Sequence, residues 1–134
     1  MKPSFEYSVQ IKEFHLDTFG HVNNAIYMAL YEEARWDFIT KHGYGLEKIQ
    51  QEKKGPVILE STIRYRRELI NREIIKIVSE PIDPEKSKIM TINQKMLKAD
   101  GSLASEAIFT VGFMDLRERK LISAPDDWRK ACGF

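Results

Sequence analysis

The second half of the chain constrains its fold most. From Pro56 to Asp115 it carries four β-type runs: "VILESTIRY", "REIIKIVSEPID", "KSKIMTINQKMLKAD" and "SLASEAIFTVGFMD". In the first run Val57, Leu59, Ser61, Ile63 and Tyr65 share one parity, and Ile58, Glu60, Thr62 and Arg64 share the other. Period two is the pattern of a strand that presents different faces to core and solvent. The runs exceed the common strand length. "DPEK" and "ADGS" separate the later ones, and both hold turn residues. Long strands joined by tight turns predict an antiparallel meander, which needs a cover for its apolar face.

The cover lies upstream. Phe5, Tyr7, Val9 and Ile11 alternate with Glu6, Ser8, Gln10 and Lys12, which predicts a first strand. Beyond a polar loop, Tyr27, Tyr31, Ala34 and Phe38 recur at helical spacing with Ile26 and Leu30 beside them. Asn23 or Asn24 caps this helix by accepting from its first free amides, and Gly43 ends it. A weaker helix follows over Leu46 to Lys53. A short tail helix starts at Pro125, with Asp126 and Asp127 in its first turn. The expected fold is α+β: a curved five-stranded antiparallel sheet wrapped around one long helix, in a single domain over 1–134.

Composition narrows the function. The 134 residues are 43% hydrophobic, and a chain of this size buries roughly two-thirds of its unfolded surface, enough for one core. With 21 basic and 20 acidic residues the net charge is +1, which argues against gripping nucleic acid by bulk charge. The single cysteine, Cys132, has no internal disulfide partner and no metal-site spacing, so a reducing compartment is expected. The N-terminus lacks a signal-type apolar run, and no window has the ~18 apolar residues of a membrane span. The expectation is a cytoplasmic protein without membrane or nucleic-acid partners.

The loop before the long helix, "HLDTFGHVNN", packs an aspartate, a glycine, a histidine and two asparagines into ten residues. Turn chemistry accounts for the glycine and the asparagines. It leaves Asp17 and His21 without an obvious purpose.

The run from Asp17 to Tyr27, "DTFGHVNNAIY", resembles the signature of hotdog-fold thioesterases, the 4-hydroxybenzoyl-CoA thioesterase-like and acyl-CoA thioester hydrolase proteins. "EEAR", Glu32 to Arg35, is also typical of them. "YRREL", Tyr65 to Leu69, resembles a motif of acyl-carrier-protein thioesterases in the same superfamily. The resemblance implies hydrolysis of an acyl thioester, from coenzyme A or from an acyl-carrier protein. It implies no metal and no cofactor, with coenzyme A present only as part of the substrate. It also implies a homodimer or a dimer of dimers, with sites at the interface.

Such hydrolysis needs an activated water or a carboxylate nucleophile, and donors aimed at the carbonyl oxygen as it gains charge. A helix N-terminus supplies donors, because its first amides have no partner inside the helix. By resemblance, Asp17 is the catalytic carboxylate and the backbone amide of Asn24 polarises the carbonyl. His21 and Glu68 match residues of the carrier-protein branch, Glu68 orienting water. Gly20, Val22, Tyr27, Arg64, Arg66 and Arg67 are the candidate substrate-binding residues. Arginine forks in this cluster, which includes Arg72, suit CoA phosphates or an acidic carrier protein. Two positions depart from the carrier-protein branch: Phe19 replaces a catalytic asparagine, and Leu69 a frequent cysteine.

Each residue also has a plainer use. Asp17 can cap its loop through an Asx-turn. His21 can bond to backbone. The asparagines can serve only as caps, and Glu68 can pair with Arg66 or Arg67 at the surface. Two other classes compete with the thioesterase: a hotdog hydratase that moves water across an enoyl bond, and a non-catalytic acyl-thioester sensor.

Overall fold

The computed structural model describes residues 2–134. In chain order the elements are β1 (Phe5–Gln10), a 3-10 turn (Glu13–His15), α1 (Asn24–Lys41), α2 (Leu46–Glu52), β2 (Lys54–Tyr65), β3 (Ile74–Ile82), β4 (Ile89–Leu97), β5 (Leu103–Asp115), β6 (Lys120–Ile122) and α3 (Asp126–Ala131). The fold is α+β, as the sequence predicts. The sheet has six strands rather than five, because the short β6 folds back on the end of β5. Three helices are present among the described residues: α1 is the long one, and α2 and α3 fall where the two shorter helices are expected.

The strand order is β1-β3-β4-β5-β2, antiparallel throughout. The expected meander therefore holds for β3, β4 and β5 only. β2 pairs with β5 at the far edge, and residues 66–73 carry the chain back to β3. This crossover is tied down along its length. The amides of Arg66 and Arg67 donate to the Ala104 carbonyl, and Lys98 Nζ donates to the Glu68 carbonyl. Arg72 N donates to the Ile11 carbonyl, and Ile11 N to that of Glu73.

α1 covers one face of the sheet. Its stripe of Tyr27, Leu30, Tyr31, Ala34 and Phe38 is buried, as the spacing predicts. Each large side chain so buried stabilises the fold by about 1.5–3 kcal/mol. Phe5 of β1 stacks on Phe38 with centroids 4.4 Å apart. The Tyr31 hydroxyl donates to Ser105 Oγ at 2.8 Å, which satisfies both groups inside the core. Trp128 of α3 is 1% exposed. It is buried against Tyr44 and Phe113, so α3 closes the core at the C-terminal end of α1. Trp36, off the stripe, is half-buried.

Candidate active site

The loop between the 3-10 turn and α1 is closed by its own backbone. Asp17 N donates to the His21 carbonyl at 2.8 Å, and Gly20 N to the Asp17 carbonyl at 3.1 Å. Gly20 sits at φ +81°, a conformation that costs glycine little and other residues more. The turn is pinned to the crossover by Val22 N, which donates to the Leu69 carbonyl, and by a bridge between His21 and Ile70. Asn23 N donates to the His15 carbonyl, which fixes the entry into α1.

Asp17 makes the Asx-turn that its plainer use requires. Its Oδ1 accepts from Phe19 N at 2.8 Å and from His21 N at 3.3 Å. Oδ2 has no hydrogen bond among the described residues. One oxygen thus holds the loop, and the other takes no part in it.

The cap belongs to Asn23 and not to Asn24. Asn23 Oδ1 accepts from Ala25 N at 2.9 Å, and the Asn23 carbonyl accepts from Ile26 N at 2.9 Å. Of the first three amides of α1, that of Asn24 alone lacks an acceptor among the described residues. No acidic residue stands in the first turn, so the positive end of the helix dipole is not neutralised there. The Asn24 side chain is exposed and its carbonyl accepts from the Tyr65 hydroxyl at 3.1 Å.

Asp17, His21, Val22, Asn24, Tyr27, Arg66, Arg67 and Glu68 come together around one open cleft of about 450 Å³. Tyr27 forms its inner wall, and burial pushes its phenol up to about 12. Its ring meets that of Tyr65 edge-on at 4.9 Å. Glu68 is exposed and makes no ion pair with Arg66 or Arg67 among the described residues. Arg66 instead pairs with Glu106 at 2.8 Å.

Three expected binding residues lie elsewhere. Gly20 shapes the turn but does not line the cleft. Arg64 belongs to the opposite face of β2 and lines a groove there with Glu106 and Lys95, because alternate strand residues point apart. Arg72 pairs with Glu13 beside the 3-10 turn. At the two departures, Phe19 is exposed and offers only its amide to Asp17, whereas Leu69 is fully buried.

Two cleft residues were not foreseen as such: Asn23 and Tyr65. Tyr65 was visible in principle. It shares the parity of Ser61 and Ile63 and directly precedes the residues 66–68. Placing it needed the fact that β2 ends beside the start of α1. Among the described residues no group of His, Cys, Asp and Glu could hold a metal ion, and no helix is long and apolar enough to cross a membrane.

The sequence model of the Thioesterase-like superfamily matches residues 9–132. The chain is 26% identical over 123 residues to the long-chain acyl-CoA thioesterase FadM of Escherichia coli K12, covering 91% of this chain and 92% of FadM. It is 24% identical over 121 residues to the acyl-CoA thioester hydrolase YbgC of Escherichia coli O6:H1, covering 90% of each. The 1,4-dihydroxy-2-naphthoyl-CoA thioesterase Slr0204 of Synechocystis has the same fold. It superimposes with a TM-score of 0.88 at 16% identity, over 97% of this chain and 96% of that one.

Proposed function

The chain belongs to the Thioesterase-like superfamily, and we propose that it hydrolyses acyl-CoA thioesters to the free acid and coenzyme A. The reaction class follows its relatives, two of which are named acyl-CoA thioesterase and acyl-CoA thioester hydrolase. One observation carries the assignment of the site. Asn24, whose amide is the one unpartnered donor in the first three of α1 among the described residues, lines the same cleft as Asp17.

In this reading the thioester carbonyl oxygen accepts from the Asn24 amide. The N-terminal dipole of α1 then stabilises the negative charge as the tetrahedral intermediate forms. Asp17 Oδ2 draws a proton from the attacking water, or attacks the carbonyl itself and is released by water. Collapse of the intermediate breaks the C–S bond, and the thiolate of coenzyme A leaves and takes up a proton. Glu68 orients the water and His21 contributes a donor at the rim. Tyr27 and Val22 bound the cleft beside the thioester. Arg66 and Arg67, both lining the cleft, meet the phosphates of coenzyme A or the acidic surface of a carrier protein.

The active form is a homodimer, built by pairing edge strands. The outer edge of β2, 12 residues long, has no partner strand among the described residues, and such an edge invites a second copy. A second strand there lies beside Tyr65, at the open cleft. Exposed Ile82, Ile89 and Ile108 on the face of the sheet away from α1 supply a further surface for a dimer of dimers. The buried, unpaired Cys132 suits a reducing cytoplasm.

The test is thiol release across a panel of acyl-CoA substrates. Free coenzyme A appearing with turnover supports the esterase. Loss of enoyl absorbance without thiol would replace it by a hydratase, and tight binding with neither would replace it by a sensor.

A further inference from the structure

We infer that Arg35 recognises an oxygen substituent on the distal part of the acyl chain, so that hydroxylated or oxo long-chain acyl thioesters are preferred over plain ones. This specificity rests on the thioesterase reading above and concerns a different part of the molecule.

Arg35 is 6% exposed, on the middle of α1. It makes no ion pair among the described residues, although buried guanidinium groups normally have one. Its Nη1 donates to Gln94 Oε1 at 2.9 Å, and its Cζ lies 4.2 Å from the centre of the Phe109 ring. Gln94 has no freedom to offer more. Its Nε2 is committed to the Tyr31 carbonyl at 3.1 Å and to Ser79 Oγ at 2.8 Å. Two Arg35 nitrogens, Nε and Nη2, are left without an acceptor among the described residues. They are not sealed in the core, because Ser102 Oγ is the one fully buried side-chain polar atom without a partner among the described residues.

Arg35 lines a second cavity, of about 230 Å³, whose walls are otherwise largely apolar: Trp36, Ile39, Ile58, Ile92 and Val111. Burial draws the Arg35 pKa down to about 10, which leaves it charged at neutral pH. A charged donor in a greasy wall is costly unless something accepts from it.

The cavity and the catalytic cleft are flanked by the same two elements. Tyr27 of α1 and Tyr65 of β2 line the cleft; Arg35 of α1 and Ile58 of β2 line the cavity. Arg35 lies eleven residues beyond Asn24, about 16 Å along the helix. A chain whose carbonyl sits at the Asn24 amide and which lies along α1 brings its distal carbons to the cavity. The apolar walls accept methylenes, and Arg35 gains only from an oxygen. Glu32, one turn earlier, lines the same cavity and disfavours a carboxylate there. A hydroxyl or oxo group therefore fits best.

The experiment compares long-chain acyl-CoA substrates of equal length that end in methyl, hydroxyl or carboxylate. The hydroxylated chain should exceed the plain one in kcat/KM by about tenfold, and the carboxylate should fall below the hydroxyl. Arg35→Met should erase the difference. Should that variant not fold, Ile58→Trp, with sedimentation showing its assembly unchanged, fills the cavity and should erase it too. Calorimetry with the free hydroxy acid and its plain counterpart reads the cavity without hydrolysis, so a protein that releases no thiol still answers the question. Equal kcat/KM or equal binding for the plain and hydroxylated chains overturns the inference, as does a preference that survives Arg35→Met. Absence of thiol release from every acyl-CoA overturns the parent reading instead.

Discussion

The Tyr65 hydroxyl donates to the backbone carbonyl of Asn24 at 3.1 Å, across 41 residues of sequence. It joins the last residue of the edge strand to the first residue of the helix whose amide is the proposed oxyanion donor. The Tyr65 ring also packs edge-on against Tyr27. Tyr65→Phe keeps the ring and removes the tether. At this half-exposed position the bond contributes about 0.5–1 kcal/mol, so the melting temperature should fall by only a few degrees. Turnover should fall more, by about tenfold, because small displacements of a donor are expensive. Parallel melting and thiol-release measurements check this, and an unchanged kcat would show that the tether does not position the amide.

Asp17→Asn separates the two uses of one side chain. The amide oxygen of asparagine can still accept from Phe19 N and His21 N, so the turn should survive and the melting temperature should change little. The charge on Oδ2 is lost. Turnover should drop by orders of magnitude with KM less affected. A variant that keeps more than about a tenth of wild-type turnover, a barrier change under ~1.4 kcal/mol, would remove Asp17 from the chemistry.

The start of α1 offers a three-way comparison. Asn23→Ala removes the cap to Ala25 N and should cost about 1 kcal/mol of stability. Asn24→Ala removes an exposed side chain with no such bond and should leave turnover within a few-fold, since the backbone amide remains. Gly20→Val meets no neighbouring atom, but it forces a β-branched residue to φ +81°. The turn should shift and cost turnover roughly 100-fold, with the helix stripe intact. If Asn24→Ala abolishes turnover in a normally melting protein, the side chain carries the chemistry and the amide does not.

Assembly is testable by dilution. With the unpaired edge of β2 next to the cleft, specific activity per chain should fall as the dimer dissociates, and sedimentation should show the same midpoint. A monomer that is fully active at assay concentration would refute a site completed by the second copy.

The α1 stripe, the strand runs and the turns between β3, β4 and β5 were legible in the sequence because each depends on neighbours a few residues away. Helical spacing alone marked Tyr27, Tyr31, Ala34 and Phe38 for burial, and they are buried. The family, and with it the candidate residues around Asp17, was legible for the same reason, since its motif is a continuous run. Other features depended on which strand pairs with which. Local pattern does not encode that β2 pairs with β5 and that residues 66–73 cross back to β3. The crossover brings Arg66, Arg67 and Glu68 to the Asp17 turn, while strand alternation sends Arg64 to the other face. β6 was too short to leave a periodic signal, and Trp128 carried no spacing to place it in the core. The Asn23 cap and the Asn24 vacancy differ by one residue, and only the path of the chain into α1 chose between them. Arg35 lay in plain view within "EEAR", but its burial without a carboxylate partner follows from how α1 packs against β4 and β5. Periodicity reports which face of an element is apolar. Long-range packing decides what that face meets, because the energy of pairing and burial is shared between residues far apart in the chain.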